Sequence, residues 1–181
     1  MNLNVIGLSF DKLILTEYRK EWTEVFREEK IIISKVLSQY NYDIKHIGST
    51  AILGMIAKPI IDIMVGIDED DKLVGVAKLL EAIGYENFGE CGRPGRIFMV
   101  KGKPENCTHH LHLMKKGSKY WSDNLIFQEI LKNNKCVAKD YMNLKLELLE
   151  QFPDNRNMYR ILKSEFIEDI ICDITRMNAS D

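Results

Sequence analysis

Three groups of residues in this chain have the types and spacing that chemistry requires: the run His46-Ile47-Gly48-Ser49-Thr50, the pair Lys58 and Asp62, and the pair His110 and His112. Asp62 stands inside an apolar run, between Ile60, Ile61, Ile63 and Val65. A carboxylate in such surroundings is costly unless it is paired, hydrogen-bonded or bound to a metal. Its candidate partners are Lys58, four residues earlier, and a bound cation. The Gly48-Ser49-Thr50 turn offers a different chemistry. A strand that ends in Gly-Ser and enters a helical turn presents backbone N–H groups suited to a phosphate. The glycine allows that backbone to come close. If adjacent strands bring the turn and Asp62 together, backbone would hold phosphates and a metal would bridge them to the carboxylate. That is the logic of metal-assisted phosphoryl or nucleotidyl transfer. The structural alternatives are an N-cap at Ser49 or Thr50 and a plain ion pair at Asp62.

The histidines are concentrated. Three of the four lie in His109-His110-Leu111-His112, and the fourth is His46. Side chains alternate along a strand, so His110 and His112 share one face while His109 goes with Leu111 and Leu113. A same-face pair can ligate a metal, or meet a phosphate when protonated. If this strand neighbours that of Asp62, then Asp62, His110 and His112 converge on one ion. Nitrogen donors suit Zn, Mn, Fe or Ni better than Mg.

The elements that must position these groups follow from periodicity. Residues 3–15 alternate loosely and predict a short strand or extended arm. Apolar residues recur at helical spacing from Thr16 to about Tyr40. Strands are expected over 44–48 and 59–67, the second buried on both faces, with a turn or short helix over 49–57 between them. A helix opens at Asp68 and stops at Gly84. Strands follow over 85–88, 96–101 and 108–115, with Gly92-Arg93-Pro94-Gly95 as a turn. Helices are expected over 118–133 and 136–151, and a last one capped by Asp154 beyond Pro153. The pattern is α+β: a mixed sheet flanked by helices, with a helical C-terminal third. It reads as one domain over 1–181, with a helix and sheet core over 16–115 and C-terminal helices over 118–176.

Composition narrows the function classes. The 181 residues are 45% hydrophobic and 29% charged, with a net charge of -2. That balance gives no electrostatic footprint for nonspecific nucleic-acid binding. Cys91, Cys107, Cys136 and Cys172 are scattered, with no CxxC pair, and read as reduced thiols rather than a disulfide frame. No signal-peptide pattern and no apolar run of membrane-spanning length appear. The expected compartment is the cytoplasm.

The motifs also carry a resemblance. His46-Ile47-Gly48-Ser49-Thr50-Ala51 and Ala57-Lys58-Pro59-Ile60-Ile61-Asp62-Ile63 resemble the core of the GrpB family, also designated UPF0157. The likeness continues through the blocks 79–85, 96–98 and 109–113, through Trp121, and through 125–127, 141–145 and 159–163, covering about residues 16–170. That family is similar in fold to the nucleotidyltransferases typified by DNA polymerase β. The resemblance implies that Gly48 and Ser49 meet a triphosphate and that Asp62 is the first metal carboxylate. Two departures from the transferase pattern stand out. Met64 occupies the position of the second carboxylate, and the later carboxylate strand is replaced by the strand of His110 and His112. This chain also has Lys45 where the family has Glu, and Gln128 where it often has Arg.

The resulting expectation is metal-dependent transfer of a nucleotidyl group from a nucleoside triphosphate to an acceptor. Gly48, Ser49, Thr50, Lys58, Arg96, Lys145 and Lys163 would bind substrate phosphates. Asp62 would be catalytic and, with His110 and His112, would hold a divalent metal (Mg, Mn or Zn). The partner would be a nucleotide or phosphorylated small molecule. The rival readings are a non-catalytic nucleotide, phosphometabolite or metal-binding module, which Met64 favours, and a single-metal phosphoester hydrolase.

Overall fold

Residues 5–178 are described by a computed structural model of the chain. Leu3 and Asn4 of the expected N-terminal arm lie outside the described residues. The rest of that arm turns at Phe10-Asp11 and forms one isolated bridge, in which Leu8 pairs with Cys107 through N–H···O bonds of 3.0 and 2.9 Å. The element order is α1 (Glu21–Val36), β1 (Tyr42–Ile47), β2 (Ile61–Ile67), α2 (Leu73–Glu81), β3 (Tyr85–Asn87), β4 (Arg96–Lys103), β5 (Asn106–Lys115), α3 (Lys119–Asn133), α4 (Lys135–Gln151) and α5 (Arg156–Asn178). The sheet order is β1-β2-β5-β4-β3. All neighbours are antiparallel except the central pair, β2 and β5, which run parallel. The fold is α+β, with a mixed five-stranded sheet and three C-terminal helices.

The two faces of β2 explain why a charge belongs in it. Ile61, Ile63, Val65 and Ile67 point to one face and join Trp22 and Ile33 of α1, Leu37 just past its end, and Val76 and Leu80 of α2 in the main core. The alternate residues, Asp62, Met64 and Gly66, point to the other face. There Met64 packs with Ile47, Met114 and Trp121 of α3. A Cβ on Gly66 would lie 2.5 Å from the Trp121 ring, so the absence of a side chain lets α3 seat on the sheet. β5 divides in the same way: Leu111 and Leu113 enter the main core, and His110 and His112 face the C-terminal helices. Asp62 therefore sits where the sheet meets the helical third, outside the apolar core.

Several boundaries differ from expectation for local reasons. The first helix begins at Glu21 because Thr16 is paired with Ala57 by backbone bonds of 2.8 and 3.0 Å and is extended. Asp68 does not open α2. Its carboxylate accepts a hydrogen bond from Asn41, and a short 3-10 turn (Asp70–Lys72) precedes the helix. The last helix is capped by Asn155, whose Oδ1 accepts from the Met158 N–H at 3.0 Å, in place of Asp154. Among the described residues no helix is long and apolar enough to cross a membrane.

Candidate functional site

β1 and β2 pair in a register that sets Ile47 opposite Asp62. The chain then leaves β1 through Gly48, at φ 71 and ψ -172, a conformation that essentially only glycine adopts. A Cβ at Gly48 would lie 2.5 Å from the Asp62 Oδ2 atom. The expected meeting of the Gly-Ser turn and the carboxylate is therefore direct. The following helical turn is only the three-residue 3-10 turn Ser49–Ala51, in which the Ala51 and Ile52 amides bond to Gly48 and Ser49. So short a turn offers little helix dipole. Thr50 turns inward: it is 1% exposed, and its hydroxyl lies 3.0 Å from His46 Nε2. His46 itself stacks on Phe26.

The parallel pairing of β2 and β5 sets Asp62 opposite His110. His110 Nδ1 lies 3.2 Å from Asp62 Oδ1. Asp62 is deeply placed, but 31% of its side chain remains open to water, so it is not sealed in the core. Burial pushes its carboxyl pKa up. The His110 hydrogen bond and the neighbouring His110, His112 and Lys163 more than offset this and hold it below the usual value. Asp62 is an anion at neutral pH, and its partner is His110 where Lys58 was one expectation.

His112 takes a different partner. Its Nδ1 accepts from Arg96 Nη1 at 3.3 Å, and burial pushes its pKa down to about 3. That ring is neutral, with its Nδ1 turned to a guanidinium. Met64, opposite His112, is fully buried in the apolar cluster around Trp121. Among the described residues no three His, Cys, Asp or Glu side chains gather as a metal-binding group. The structure joins two of the three expected ligands, Asp62 and His110, and gives His112 to Arg96.

The expected phosphate-binding cations arrive from four directions. Lys58, just before β2, rests its Nζ 4.8 Å from the centre of the Tyr159 ring. Lys163, also on α5, lies 5.9 Å from the same ring. Lys145 of α4 is 1% exposed and donates to Ser49 Oγ at 3.2 Å and to the Ile56 carbonyl. Arg96 of β4 is 7% exposed and ties down the preceding loop through the Glu90 and Cys91 carbonyls at 2.9 and 3.2 Å. Burial, and then repulsion from Lys163, bring both Lys58 and Lys145 down to about 7. Lys163 is held up at about 12, chiefly by Tyr141, with Tyr159, Asp62 and Tyr120 adding to this against burial.

Two residues noted for their sequence context lie elsewhere. Lys45 pairs with Asp43 at 3.2 Å on the exposed edge strand. Gln128 donates to the His46 carbonyl at 3.0 Å and ties α3 to β1. Four site residues were missed by sequence reasoning: Tyr141, Tyr159, Arg93 and Tyr120. Arg93 lies 4.8 Å from the Tyr120 ring centre and donates to Ser164 of α5 at 3.4 Å. For the two tyrosines on the last helices a signal existed. Tyr141 and Lys145, and again Tyr159 and Lys163, stand four apart, a spacing that puts both members on one helix face.

Comparison with known proteins agrees over nearly the whole chain. The profile of the family described as GrpB protein matches residues 12–173. The glutamate-rich protein GrpB of Alkalihalophilus pseudofirmus is 31% identical over 172 residues, which is 92% of this chain and 98% of that protein. The crystal structure of conserved protein GrpB from Enterococcus faecalis superposes with a TM-score of 0.78 at 32% identity, covering 89% of this chain and 99% of that one. The Cid1 poly(U) polymerase overlays at a TM-score of 0.46 and 14% identity over 80% of this chain and 46% of its own, too loosely to carry an argument. The matched residues include the Gly48 turn, Asp62, the His110 strand and the lysines of α4 and α5, and the chain belongs to the GrpB family.

Proposed function

We propose that the site around Asp62 binds the phosphates of a nucleotide and that the protein transfers a nucleotidyl group from a nucleoside triphosphate to an acceptor. The observation that carries this reading is the charge imbalance around Asp62. Asp62 faces Lys58 and Lys163, Lys163 in turn faces the buried Lys145, and two of those lysines are pushed toward neutrality. Buried cations without counter-charge are costly, and an anionic ligand relieves that cost. Phosphoryl-type transfer asks a protein chiefly for positioning and for charge aimed at the phosphate oxygens. Lys163 supplies a permanent charge. Lys145 holds the Ser49 turn, and Gly48 brings that turn against Asp62. The resemblance to the nucleotidyltransferases supports the same reading.

The donor set bears on the metal. Asp62 and His110 offer two donors, and the remaining positions around a divalent ion would fall to substrate phosphate and water, as is common for phosphate-bridging cations. The residues fit an ion that arrives with a phosphate ligand; they do not fit one held by the chain alone. Such an ion would supply Lewis-acid polarisation of a phosphate oxygen.

Metal-stripped protein, melted with nucleoside triphosphates in the presence and absence of Mg, Mn or Zn, tests this reading. It predicts a rise in Tm requiring nucleotide, turnover when acceptor and metal are added, and loss of turnover in Asp62→Asn with the fold retained. Buried Met64, where a second carboxylate would stand, favours the second reading: a nucleotide or phosphometabolite-binding module without transfer. Binding without turnover selects it. Phosphate release without acceptor selects hydrolysis.

A further inference from the structure

His110 and His112 share the face of Asp62, and their hydrogen bonds fix opposite tautomers. An ionised carboxylate can only accept, so His110 Nδ1, 3.2 Å from Asp62 Oδ1, carries the ring proton. The neutral His110 ring therefore keeps its free electron pair on Nε2. A guanidinium can only donate, so His112 Nδ1, 3.3 Å from Arg96 Nη1, holds the electron pair of that ring. The proton of His112 is then on Nε2. Of the two, only His110 has a bare nitrogen that no side chain of the protein has taken. Its side chain is 23% exposed, beside the 31% exposed carboxylate. The ring is also held in place, edge-on to Phe98 at 5.2 Å and 61°. A histidine oriented by a carboxylate at Nδ1, with Nε2 unoccupied, is the arrangement of an activated nitrogen. Met64, where a transferase would keep a second carboxylate, is fully buried and apolar. An acceptor hydroxyl must lose a proton as it attacks, and β2 offers no second carboxylate to take it. A bare imidazole nitrogen attacks without losing one.

We propose that His110 Nε2 is the nucleophile of the transfer, and that the chain itself carries the nucleotidyl group on this atom between donor and acceptor. The proposal rests on the nucleotide reading above and adds a covalent intermediate to it. In the first half, the Nε2 electron pair bonds to the α-phosphorus. The bond from that phosphorus to the α–β bridging oxygen breaks, and its electrons leave with pyrophosphate. No proton moves. The ring gains a positive charge, which Asp62 answers through the Nδ1–H bond. In the second half, an acceptor hydroxyl oxygen bonds to the phosphorus, the N–P electrons return to Nε2, and the hydroxyl proton passes to water. Asp62 is a positioning residue for His110 in this scheme. A nitrogen bonded to phosphorus is not available to a metal, so an ion arriving with the phosphates would be left Asp62 Oδ2. The Nε2–H of His112 is a neutral donor on the same face for a phosphoryl oxygen.

The test needs no acceptor. The whole chain is incubated with ATP, GTP, CTP or UTP and Mg or Mn, and both its intact mass and its Tm are read. The expected result is a gain of one nucleoside monophosphate, mapped by peptide fragmentation to His110, lost in acid and stable in base as a P–N bond is. His110→Gln, checked for folding by circular dichroism, gains nothing. Asp62→Asn can present an amide N–H to Nδ1 and reverse the tautomer, which slows labelling by at least about a hundredfold. His110→Gly supplied with free imidazole releases the nucleoside phosphorimidazolide and pyrophosphate, a rescue that a purely structural histidine does not show. A label on any other residue, or an equal label on His110→Gln, overturns the inference. A nucleotide-dependent rise in Tm with no label also overturns it and leaves the nucleotide reading standing. Neither a rise in Tm nor a label with any of the four nucleotides overturns that reading, and this inference with it.

Discussion

Substitution of Gly48 by alanine puts the junction of the β1 turn and the carboxylate to a direct test. Two separate penalties apply. The backbone at φ 71 and ψ -172 lies in a region essentially reserved for glycine, at a cost of about 1–3 kcal/mol for any other residue. The new Cβ would also stand 2.5 Å from Asp62 Oδ2 and 3.1 Å from its Cβ and Cγ. The Asp62 Cβ belongs to a central strand and cannot swing away as a flexible chain end would. Overpacking of this kind adds about 1–3 kcal/mol. The sum is roughly 2–6 kcal/mol, equivalent to a fall in Tm of about 4–24 °C for a chain of this size. Gly54→Ala is the control: its φ is also positive, at 76, but a Cβ there meets nothing within 4 Å. Urea denaturation of both variants compares a positive-φ glycine in open space with one that also crowds Asp62. Equal destabilisation of the two would refute the close approach of turn and carboxylate; so would a Gly48→Ala protein as stable as the parent.

Three further outcomes are expected. Gly66→Ala forces a methyl to within 2.5 Å of the Trp121 ring and should cost about 1–3 kcal/mol, accompanied by a change in Trp fluorescence; an unaltered emission spectrum would count against the seating of α3 on β2. Glu29→Ala removes the shared partner of the Tyr85 hydroxyl (3.0 Å) and Lys101 (2.8 Å); the orphaned groups should cost about 3–5 kcal/mol, read as a lower urea midpoint. Acid sensitivity should begin well above the carboxylate range. Burial is the leading cause that holds His46 and His109 at about 4 and His112 at about 3, against an ordinary 6.5. Between those values the unfolded chain binds protons that the folded chain refuses, so stability present above pH 6.5 is lost as pH falls, by at most about 4 kcal/mol per pH unit for the three together. The carboxyl of Asp62 is lowered, so its own contribution is withdrawn only below the ordinary carboxylate value. A urea midpoint that stays level between pH 7 and pH 5 would contradict the burial of these rings.

The sequence made the site's floor readable because strand chemistry is local. Alternation alone placed His110 and His112 on one face, and the Ile-rich context of Asp62 signalled that a partner was needed. The five strands and the helical last third followed from periodicity and from turns at Gly92 to Gly95 and at Gly117. What was hidden depends on contacts distant in sequence. Nothing near His112 announces that Arg96, the first residue of β4, will take its Nδ1. Thr50 looks like a loop hydroxyl until α1 brings Phe26 over His46 and closes the space. The arm around Thr16 is helical by composition, and only its pairing with Ala57 makes it extended. Tyr159 supports two lysines through its ring, a use of an aromatic that hydrophobic spacing does not distinguish from packing.

The parallel pairing of β2 with β5 also bears on how the chain survives its own synthesis. β2 ends at Ile67 and its central partner is complete only at Lys115, about fifty residues later, or roughly 3–10 s at ordinary ribosomal rates. Through that interval a strand rich in Ile and Val has β1 on one side and an unpaired row of backbone groups on the other, the geometry that invites pairing with another nascent chain. A charge within an apolar strand interrupts such association. Asp62, which disturbs the apolar pattern of β2, is then a gatekeeper of the emerging polypeptide before it is part of any cleft. In this account the replacement Asp62→Leu would shift nascent protein toward aggregates during expression, independently of any effect on ligand binding.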